Sequence, residues 1–595
     1  MPDTSLTDTS PAHTSLADKD ARGRGARRPV GDEVEGSHGQ ASVPSTTAPA
    51  SQPTSMRPLT AGPAGPAVRN VLRPAPWVAW RAVAAVLAVD AGTTGVRTVA
   101  FDESAATVVE AYRPLTQSFP RPGWVEHDPE EIWSLVAATL AEVVAALDAR
   151  GETVAAIGIA NQRETALAWN RVTGRPLHAA VVWQDRRTAP RCEELVEAGL
   201  LPLVRERTGL VLDPYFSATK FEWMLRNAEL DTRDLALGTV DAWLLFRLTG
   251  GDAFVTDVSN ASRTMLFDIR ARAWTPELCA LFGVPTAALP EVRPSCGRVG
   301  TVAVHTGAPH EGKGAAAPGG LDALSGVPIS GIAGDQQAAL FGQGCGDRGM
   351  AKVTYGTGSF LLVHAGSSCP PPHEGLLTTV AWDLGGHETR PSEPDVAYAL
   401  EASTFVAGAA IQWLRDGLGL IDRSEDVGPL AASVPDTGGV VVVPAFSGLG
   451  SPWWDPRARG TVVGITRGAG RAQFARAVVE AMSFGVRDMV DAVTDALGAA
   501  MPALRVDGGA SAMELLLQLQ ADQLQMPVVR PRCIESTALG AAMLAGLAEG
   551  VWGSVEELLE RWHPDVERVP QVDRATADLS YAAWLRAVER ARGWA

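Results

Sequence analysis

Two short glycine–threonine turns are the segments of this sequence best suited to bind phosphate. The first is DAGTTG over Asp90–Gly95, after an apolar run, and the second is TYGTGS over Thr354–Ser359. Glycine lets a backbone approach a phosphate closely, while threonine hydroxyls and backbone amides donate hydrogen bonds to its oxygens. Asp90, which opens the first turn, could hold Mg²⁺ through water. Either turn alone is also typical of an ordinary hairpin, whereas the pair predicts a nucleotide held between two domains.

A third candidate is Asp335, in the segment GIAGDQQAALFGQ. It follows an apolar run that predicts a strand, and it precedes a helical run. Ligands of α/β proteins bind outside the carboxyl ends of the strands, so a carboxylate at this junction could face a ligand. Asp is also a preferred helix N-cap, and for the segment taken alone capping is the favoured interpretation.

Polar residues at the end of another predicted strand could bind a hydroxyl-rich molecule. Arg163 and Glu164 are adjacent in NQRE, where arginine can donate hydrogen bonds and glutamate can accept them. An isolated Arg–Glu pair is also typical of a surface ion pair. Trp183 and Tyr215 could wall a small polar site, although buried aromatic residues more often belong to the core.

Three further motifs do not support other chemistries. Gly307–Lys313 resembles a P-loop, but Gly314 stands where the Mg²⁺-binding Ser or Thr would be. Ser217 and Lys220 have the spacing of a serine β-lactamase nucleophile motif, yet the chain contains no SDN or KTG partner. The ten histidines form no HExxH or similar pair, so the sequence does not indicate a zinc site.

The elements that would position these residues alternate between strands and helices. Val86–Asp102 predicts a strand, a turn and a second strand, while Pro129–Arg150 has apolar residues three or four apart and predicts an amphipathic helix. Alternation of this kind along the whole chain predicts an α/β fold.

The chain divides into three predicted regions. Residues 1–82 contain no aromatic residue before Trp77 and predict a disordered extension, because such a segment cannot bury enough apolar surface. Residues 83–342 and 343–595 predict two α/β domains, the second ending in closing helices. A Gly/Ala/Pro-rich stretch, His305–Gly326, predicts a long surface loop.

Composition excludes several classes of protein. The net charge of −17 argues against a nucleic-acid binder, which needs a basic face. No segment reaches about 18 unbroken apolar residues, so the sequence predicts no membrane insertion. The six cysteines never form a CxxC pair, which fits a reducing compartment and favours the cytoplasm.

Together these segments resemble the FGGY family of carbohydrate kinases, and within it the members that act on glycerol. YFSATKFEWMLRN (Tyr215–Asn227) and GTVVGITRGAGRAQFARAVVE (Gly460–Glu480) are similar to the two family signatures. GWVEHDPEEIW, NQRET, NASRTMLF, GIAGDQQAALFGQ, IQWLRD and LRVDGGA have matching order and spacing. The resemblance runs from about Val86 to Trp584.

The resemblance implies two actin/hexokinase-like (ribonuclease H-like) domains with an active-site cleft between them. It implies ATP and glycerol as substrates, Mg²⁺ as the metal, and a homodimer or homotetramer as the assembly. Asp335 would be the general base, and it would share Mg²⁺ with Asp90. The implied glycerol-binding residues are Arg163, Glu164, Trp183, Tyr215, Asp335, Gln336 and Phe360. The implied nucleotide-binding residues are Thr93, Thr94, Gly95, Arg97, Thr357, Gly408, Gln412, Gly509 and Met513.

Some positions differ from the pattern of the glycerol-specific members. Ala91 stands where they usually have Gln, and Met513 stands where the family often has an Asn near the adenine. The second difference predicts that a hydrogen bond to the base is missing. Two alternatives remain open from the sequence: an FGGY kinase for another polyol or sugar, and an actin- or Hsp70-like ATPase.

Overall fold

The computed structural model describes residues 84–228, 230–303, 321–387 and 395–595. Two of the predictions fall outside these ranges. They are the disordered extension over 1–82 and the part of the predicted loop that covers residues 305–320. From Ala84 onward the described residues belong to one compact unit.

The elements up to the second sheet run, in chain order, β1 (Ala84–Ala91), β2 (Gly95–Phe101), β3 (Thr107–Pro114), β4 (Glu126–His127), α1 (Pro129–Asp148), β5 (Thr153–Asn161), β6 (Leu167–Asn170), β7 (Ala180–Val181), α2 (Ala189–Glu197), α3 (Leu201–Thr208), α4 (Ser217–Asn227), β8 (Leu235–Gly238), α5 (Val240–Leu248), β9 (Val255–Asp257), α6 (Val258–Ala261), β10 (Phe267–Asp268), β11 (Ala273–Trp274), α7 (Pro276–Leu281), β12 (Glu291–Arg293), β13 (Cys296–Thr301), β14 (Pro328–Gly334) and α8 (Asp335–Gly342). The remaining elements are β15 (Ala351–Tyr355), β16 (Ser359–Gly366), β17 (Leu377–Asp383), β18 (Val396–Thr404), α9 (Gly408–Gln412), α10 (Val427–Ala432), β19 (Val441–Val443), β20 (Thr461–Val463), α11 (Arg471–Leu497), β21 (Leu504–Asp507), α12 (Glu514–Leu524), β22 (Val528–Pro531), α13 (Ser536–Ala548), α14 (Val555–Glu560), β23 (Pro564–Arg568) and α15 (Arg574–Ala591).

The first sheet has the order β13-β14-β5-β1-β2-β3. β2 is antiparallel to both of its neighbours, β1 and β3, while β5 and β14 run parallel to β1. The middle of β1, Ala85–Val89, is buried on both faces, which explains its continuous apolar sequence. α1 covers one face of this sheet; the Asp128 side chain caps its first turn, and the buried residues face the core.

The second sheet has the order β17-β18-β16-β15-β21-β22-β23 and repeats this arrangement. β16 is antiparallel to both of its neighbours, β15 and β18, and β21 runs parallel to β15, as β5 does to β1. Two mixed sheets with helices packed on them confirm the predicted α/β fold. Among the described residues, no helix combines the length and apolar character needed to cross a bilayer.

One helix from the later part of the chain packs on the first sheet. α13 lies so close to β5 and β14 that a Cβ at Gly158 or Gly331 would overlap its backbone. A Cβ at Gly540 of α13 would likewise overlap the backbone of α8. The two halves of the chain are therefore joined by close helix packing, and the predicted boundary near residue 342 stays a prediction.

The strand register brings the candidate residues to one edge of each sheet. In the first sheet Ala91, Asn161 and Gly334 lie beside one another at the carboxyl ends of three parallel strands. In the second, Thr354 pairs with Asp507. The two glycine–threonine turns and the junction at Asp335 begin at or next to these residues, so they lie at the carboxyl edges of the two sheets.

Candidate active site

The buried guanidinium of Arg163 lies at the centre of the site. Its Nη1 donates to Glu401 Oε2 at 2.6 Å and its Nη2 to Glu401 Oε1 at 2.9 Å. Nη1 also donates to Gln337 Oε1 at 3.1 Å, Nη2 donates to the Tyr215 hydroxyl at 3.2 Å, and Nε lies 3.2 Å from Asp335 Oδ1. The Arg163 side chain is only 2% exposed. Its four Nη N–H groups donate hydrogen bonds within the described part of the protein, and its Nε–H is the one donor without such a bond there. A surface ion pair is excluded.

Arg163 belongs to a cluster of four buried charges with Glu164, Arg263 and Glu401. Arg263 Nε donates to Glu164 Oε1 at 2.7 Å, and its Nη2 donates to Glu401 Oε1 at 2.9 Å. Burial alone would raise the pKa of Glu401, but the guanidiniums of Arg163 and Arg263 hold it below its ordinary value. The two carboxylates and two guanidiniums, all buried, compensate one another's charge.

An aromatic wall adjoins this cluster. The ring of Trp183 lies edge-on to Tyr215 at 5.6 Å and to Phe360 at 5.9 Å between centroids. The Trp183 indole N–H donates to Thr93 Oγ1 at 2.9 Å, which links the wall to the first glycine–threonine turn. Gln162 adds a second link, because its Nε2 donates to the Gly92 carbonyl at 3.1 Å. An apolar surface thus lies beside the charged groups.

Asp335 is the first residue of α8, and Gly334 is its N-cap, with no side-chain capping bond. The N-cap interpretation is therefore wrong for Asp335, whose side chain is 29% exposed. Its Oδ1 accepts from the Gln336 backbone N–H at 2.7 Å. The Gln336 amide oxygen accepts from Lys352 Nζ at 2.5 Å, and Lys352 also donates to Thr354 Oγ1 at 2.8 Å.

Asp90 lies in a strongly negative part of the site. Burial raises the pKa of its carboxyl to about 7, and the charges of Asp335 and Glu535 add to this rise. The Arg97 guanidinium is paired with Glu110 and Glu535, each at 2.9 Å. No group of three or more acidic, His or Cys side chains among the described residues forms a metal cage. One or two carboxylates completed by phosphates and water are a usual Mg²⁺ site, so Asp90 and Asp335 fit this ion.

In the first turn, Thr93 is partly buried and Thr94 is exposed. Gly92 N–H donates to the Gly95 carbonyl at 3.0 Å, which closes the turn tightly. A Cβ at Gly95 would overlap the ring of Tyr112 on β3. Position 95 therefore requires a glycine for packing against Tyr112, whether or not this residue also contacts a phosphate.

A cavity of about 690 Å³ lies at the edge of the second sheet. The predicted nucleotide-binding residues among its lining are Thr357, Gly408, Gln412, Gly509 and Met513. Of the remaining four, Thr93 and Thr94 lie in the first turn, and Gly95 and Arg97 lie on β2 of the first sheet. The cavity is suited to a flat ring because much of its wall is apolar: Ile411, Pro429, Ala432, Met513 and Leu515.

Models of two protein domains match most of the folded chain. They are the N-terminal domain of the FGGY family of carbohydrate kinases, over residues 85–342, and its C-terminal domain, over residues 351–549. The chain belongs to the FGGY family of carbohydrate kinases. Glycerol kinases from Carboxydothermus hydrogenoformans and Citrifermentans bemidjiense are each 49% identical over 514 residues, which is 86% of this chain and 98% and 99% of theirs.

The chain is also similar to solved structures of carbohydrate kinases. The Plasmodium falciparum glycerol kinase with ADP has a TM-score of 0.76 at 32% identity, covering 86% of this chain and 98% of that one. A xylulose kinase from Lactobacillus acidophilus has a TM-score of 0.72 at 20% identity over 85% of this chain and 98% of its own, which shows a shared fold.

In this FGGY kinase the structure brings all the predicted polyol-side residues together and adds three that the sequence did not single out. These are Arg263, Lys352 and Glu401, all fully buried. Arg263 lies within NASRTMLF, a segment recognised without a role for the arginine. Glu401 is a lone carboxylate in the apolar strand β18, and a charge in such a strand is itself a signal of a buried partner.

Proposed function

We propose that the protein is a glycerol kinase, which transfers the γ-phosphoryl group of ATP to glycerol and forms sn-glycerol 3-phosphate and ADP. The observation that carries this proposal is the 49% identity to glycerol kinases over almost their full length. Its geometric counterpart is a small site where buried hydrogen-bonding groups face an aromatic wall. A molecule with hydroxyls on one side and carbon atoms on the other fits both surfaces.

On the polyol side, the proposal assigns the hydroxyls of glycerol to Arg163, Glu164, Tyr215 and Gln336. The Arg163 Nε–H, which makes no hydrogen bond to a described residue, and the Gln336 amide N–H donate, and the Glu164 carboxylate accepts. Trp183 and Phe360 pack against the carbon backbone. Since each of the polar groups is held by a buried partner, the hydroxyls meet a site that needs little rearrangement.

Asp335 is assigned as the general base that takes the proton from the attacking hydroxyl. It lies at the carboxyl edge of the first sheet, it is partly exposed, and its Oδ1 lies 3.2 Å from Arg163 Nε. A base of this kind contributes about 10²–10⁴-fold to the rate. The rest of the catalysis comes from orienting the hydroxyl and the γ-phosphate in line.

On the nucleotide side, the cavity beside Thr357, Gly408 and Gly509 accommodates the base and ribose, and the first turn at Thr93–Gly95 receives the phosphates. Asp90 and Asp335 would hold Mg²⁺, which, when bound, neutralises charge on the phosphate oxygens. Burial, and after it the charges of Asp335 and Glu535, raise the pKa of Asp90, and these neighbouring carboxylates support a cation at this position. Placement in the cytoplasm is supported by six free thiols, which suit a reducing compartment.

An ADP-release assay across a panel of polyols and sugars tests the proposal. We expect release that depends on glycerol and a product with phosphate on a terminal hydroxyl. A strong preference for a sugar or a longer polyol would contradict glycerol as the substrate and favour another FGGY kinase. A rate of ADP release that does not change when any of the polyols or sugars is added would favour an actin- or Hsp70-like ATPase.

We predict weak discrimination between ATP and GTP. The two carboxylates that line the cavity are already paired, Glu514 with Arg568 and Glu425 with Arg423. Met513 is apolar and cannot hydrogen-bond the base edge. Without one selective hydrogen bond, we expect kcat/KM for GTP to be within about ten-fold of that for ATP. The substitution Met513→Asn restores an amide, and we expect it to favour ATP; a thousand-fold wild-type preference for ATP would contradict the prediction.

A further inference from the structure

Lysine is rare in this chain, and its two described examples lie at the candidate site. Of the 51 basic residues only four are lysines: Lys19, Lys220, Lys313 and Lys352. Lys220 and Lys352 fall within the described ranges, and both have no exposed surface. Everywhere else in those ranges, a positive side chain is arginine. Lysine is a compact point charge, whereas arginine is a planar fork, so these two positions select the ammonium for its shape.

The ammonium group of Lys220, on α4, contacts three backbone carbonyls. Its Nζ donates to Tyr215 O at 2.5 Å and to Phe216 O at 3.0 Å, and it lies 3.5 Å from Glu164 O. Two of these carbonyls belong to residues assigned to the polyol. An ammonium has three N–H groups, so its donors match the three acceptors. Burial lowers the pKa of this lysine to about 8, and the nearby Glu164 charge opposes that change.

The Glu164 backbone needs such support because it is strained. Its φ is +61°, in the left-handed region that a residue with a side chain rarely adopts. Thr165 N–H donates to the Arg163 carbonyl at 2.7 Å, so the chain makes a three-residue turn centred on Glu164. Strained backbone persists where the surroundings hold it in place. Here Ser217 Oγ donates to Glu164 O at 3.0 Å, beside Lys220.

We propose that Lys220, assisted by Ser217, is a positioning residue that sets the polyol affinity by holding the strained Glu164 turn against the Tyr215 backbone. The turn fixes the direction of both the Arg163 and the Glu164 side chains, which leave the backbone on either side of one peptide. Without the ammonium, buried carbonyls would lose their donor and the turn could relax. The inference rests on the proposed function, because it concerns the pocket assigned to glycerol.

The decisive variant is Lys220→Met, which keeps the length of the side chain and removes the donor. We expect its KM for glycerol to rise by about ten- to a hundred-fold while its KM for ATP stays within about two-fold of the wild type. The matched control is Arg247→Met, which removes a buried cation paired with Glu130 away from the site. That variant should lower the melting temperature and leave the KM for glycerol unchanged. A folded Lys220→Met protein with wild-type KM for glycerol would overturn the proposal, as would an equal rise in the KM for ATP.

Ser217→Ala supplies the answer if Lys220→Met does not fold. It removes one of the two donors to Glu164 O and is small enough to keep the packing. We expect a rise in the KM for glycerol of roughly three- to ten-fold, and no rise would overturn the proposal. The kinetics of the wild type distinguish a failure of the proposed function from a failure of the proposal for Lys220. If the wild type does not phosphorylate glycerol, the proposed function fails, and the same comparison is made with the polyol that it does phosphorylate.

Discussion

Asp335→Asn is expected to lower kcat for glycerol phosphorylation by about 10²–10⁴-fold, because the amide cannot take the proton from the attacking hydroxyl. The fold should survive. The N-cap of α8 is Gly334, the Asp335 side chain is 29% exposed, and an asparagine oxygen can still accept from the Gln336 N–H. ADP-release kinetics at saturating ATP and glycerol, with a thermal unfolding curve, measure both parts of the prediction.

The control for this substitution is Asp422→Asn, at an exposed position. It makes the same chemical change and should leave kcat and the melting temperature unchanged. Wild-type turnover in a pure Asp335→Asn protein would remove Asp335 from the role of base. A loss of turnover with an equally large loss of folded protein would instead assign the carboxylate a structural role.

The sequence predicts those parts of the site in which a residue able to bind a ligand directly follows a predicted strand. The two glycine–threonine turns, Arg163 and Asp335 each follow an apolar run, so their place at a carboxyl edge can be read from the chain itself. The parallel register of β1, β5 and β14 then brings them together. This step depends on strand pairing between distant segments, but it follows from the α/β pattern.

Other parts could not be read from the sequence because they depend on contacts between distant segments. Glu401 is one polar residue in an apolar strand, and only the fold shows that it faces Arg163 and Arg263. Lys220 lies in an unsupported nucleophile motif and in one family signature, and neither assigns it a role, because its carbonyl partners lie on two separate segments. The return of α13 to the first sheet likewise has no local signal in its own sequence.

Arg163→Ala is expected to raise the KM for glycerol by about a hundred-fold or more and to destabilise the protein by about 3–5 kcal/mol. The first effect follows from losing a charged hydrogen-bond donor to the polyol. The second follows because Glu401 is fully buried and would lose one of its two ion-pair partners, keeping Arg263. Glycerol kinetics and denaturant unfolding measure the two effects, and unchanged glycerol kinetics would contradict the binding role of Arg163.

The loss of stability should be partly recovered in the double variant Arg163→Ala/Glu401→Gln, because the unpaired carboxylate is then gone, whereas the KM for glycerol should stay high. The pH dependence gives a second test. In the wild type the pKa of Glu401 is held below its ordinary value, so this group stabilises the fold above about pH 4.5, and that contribution is lost as the pH falls. In Arg163→Ala, burial dominates and should raise the pKa of Glu401 above its unfolded value, so stability should fall as the pH rises. The difference in the free energy of unfolding between Arg163→Ala and the wild type should therefore be larger at pH 8 than at pH 5. A difference that does not change with pH would show that the destabilisation comes from lost packing and not from the uncompensated charge.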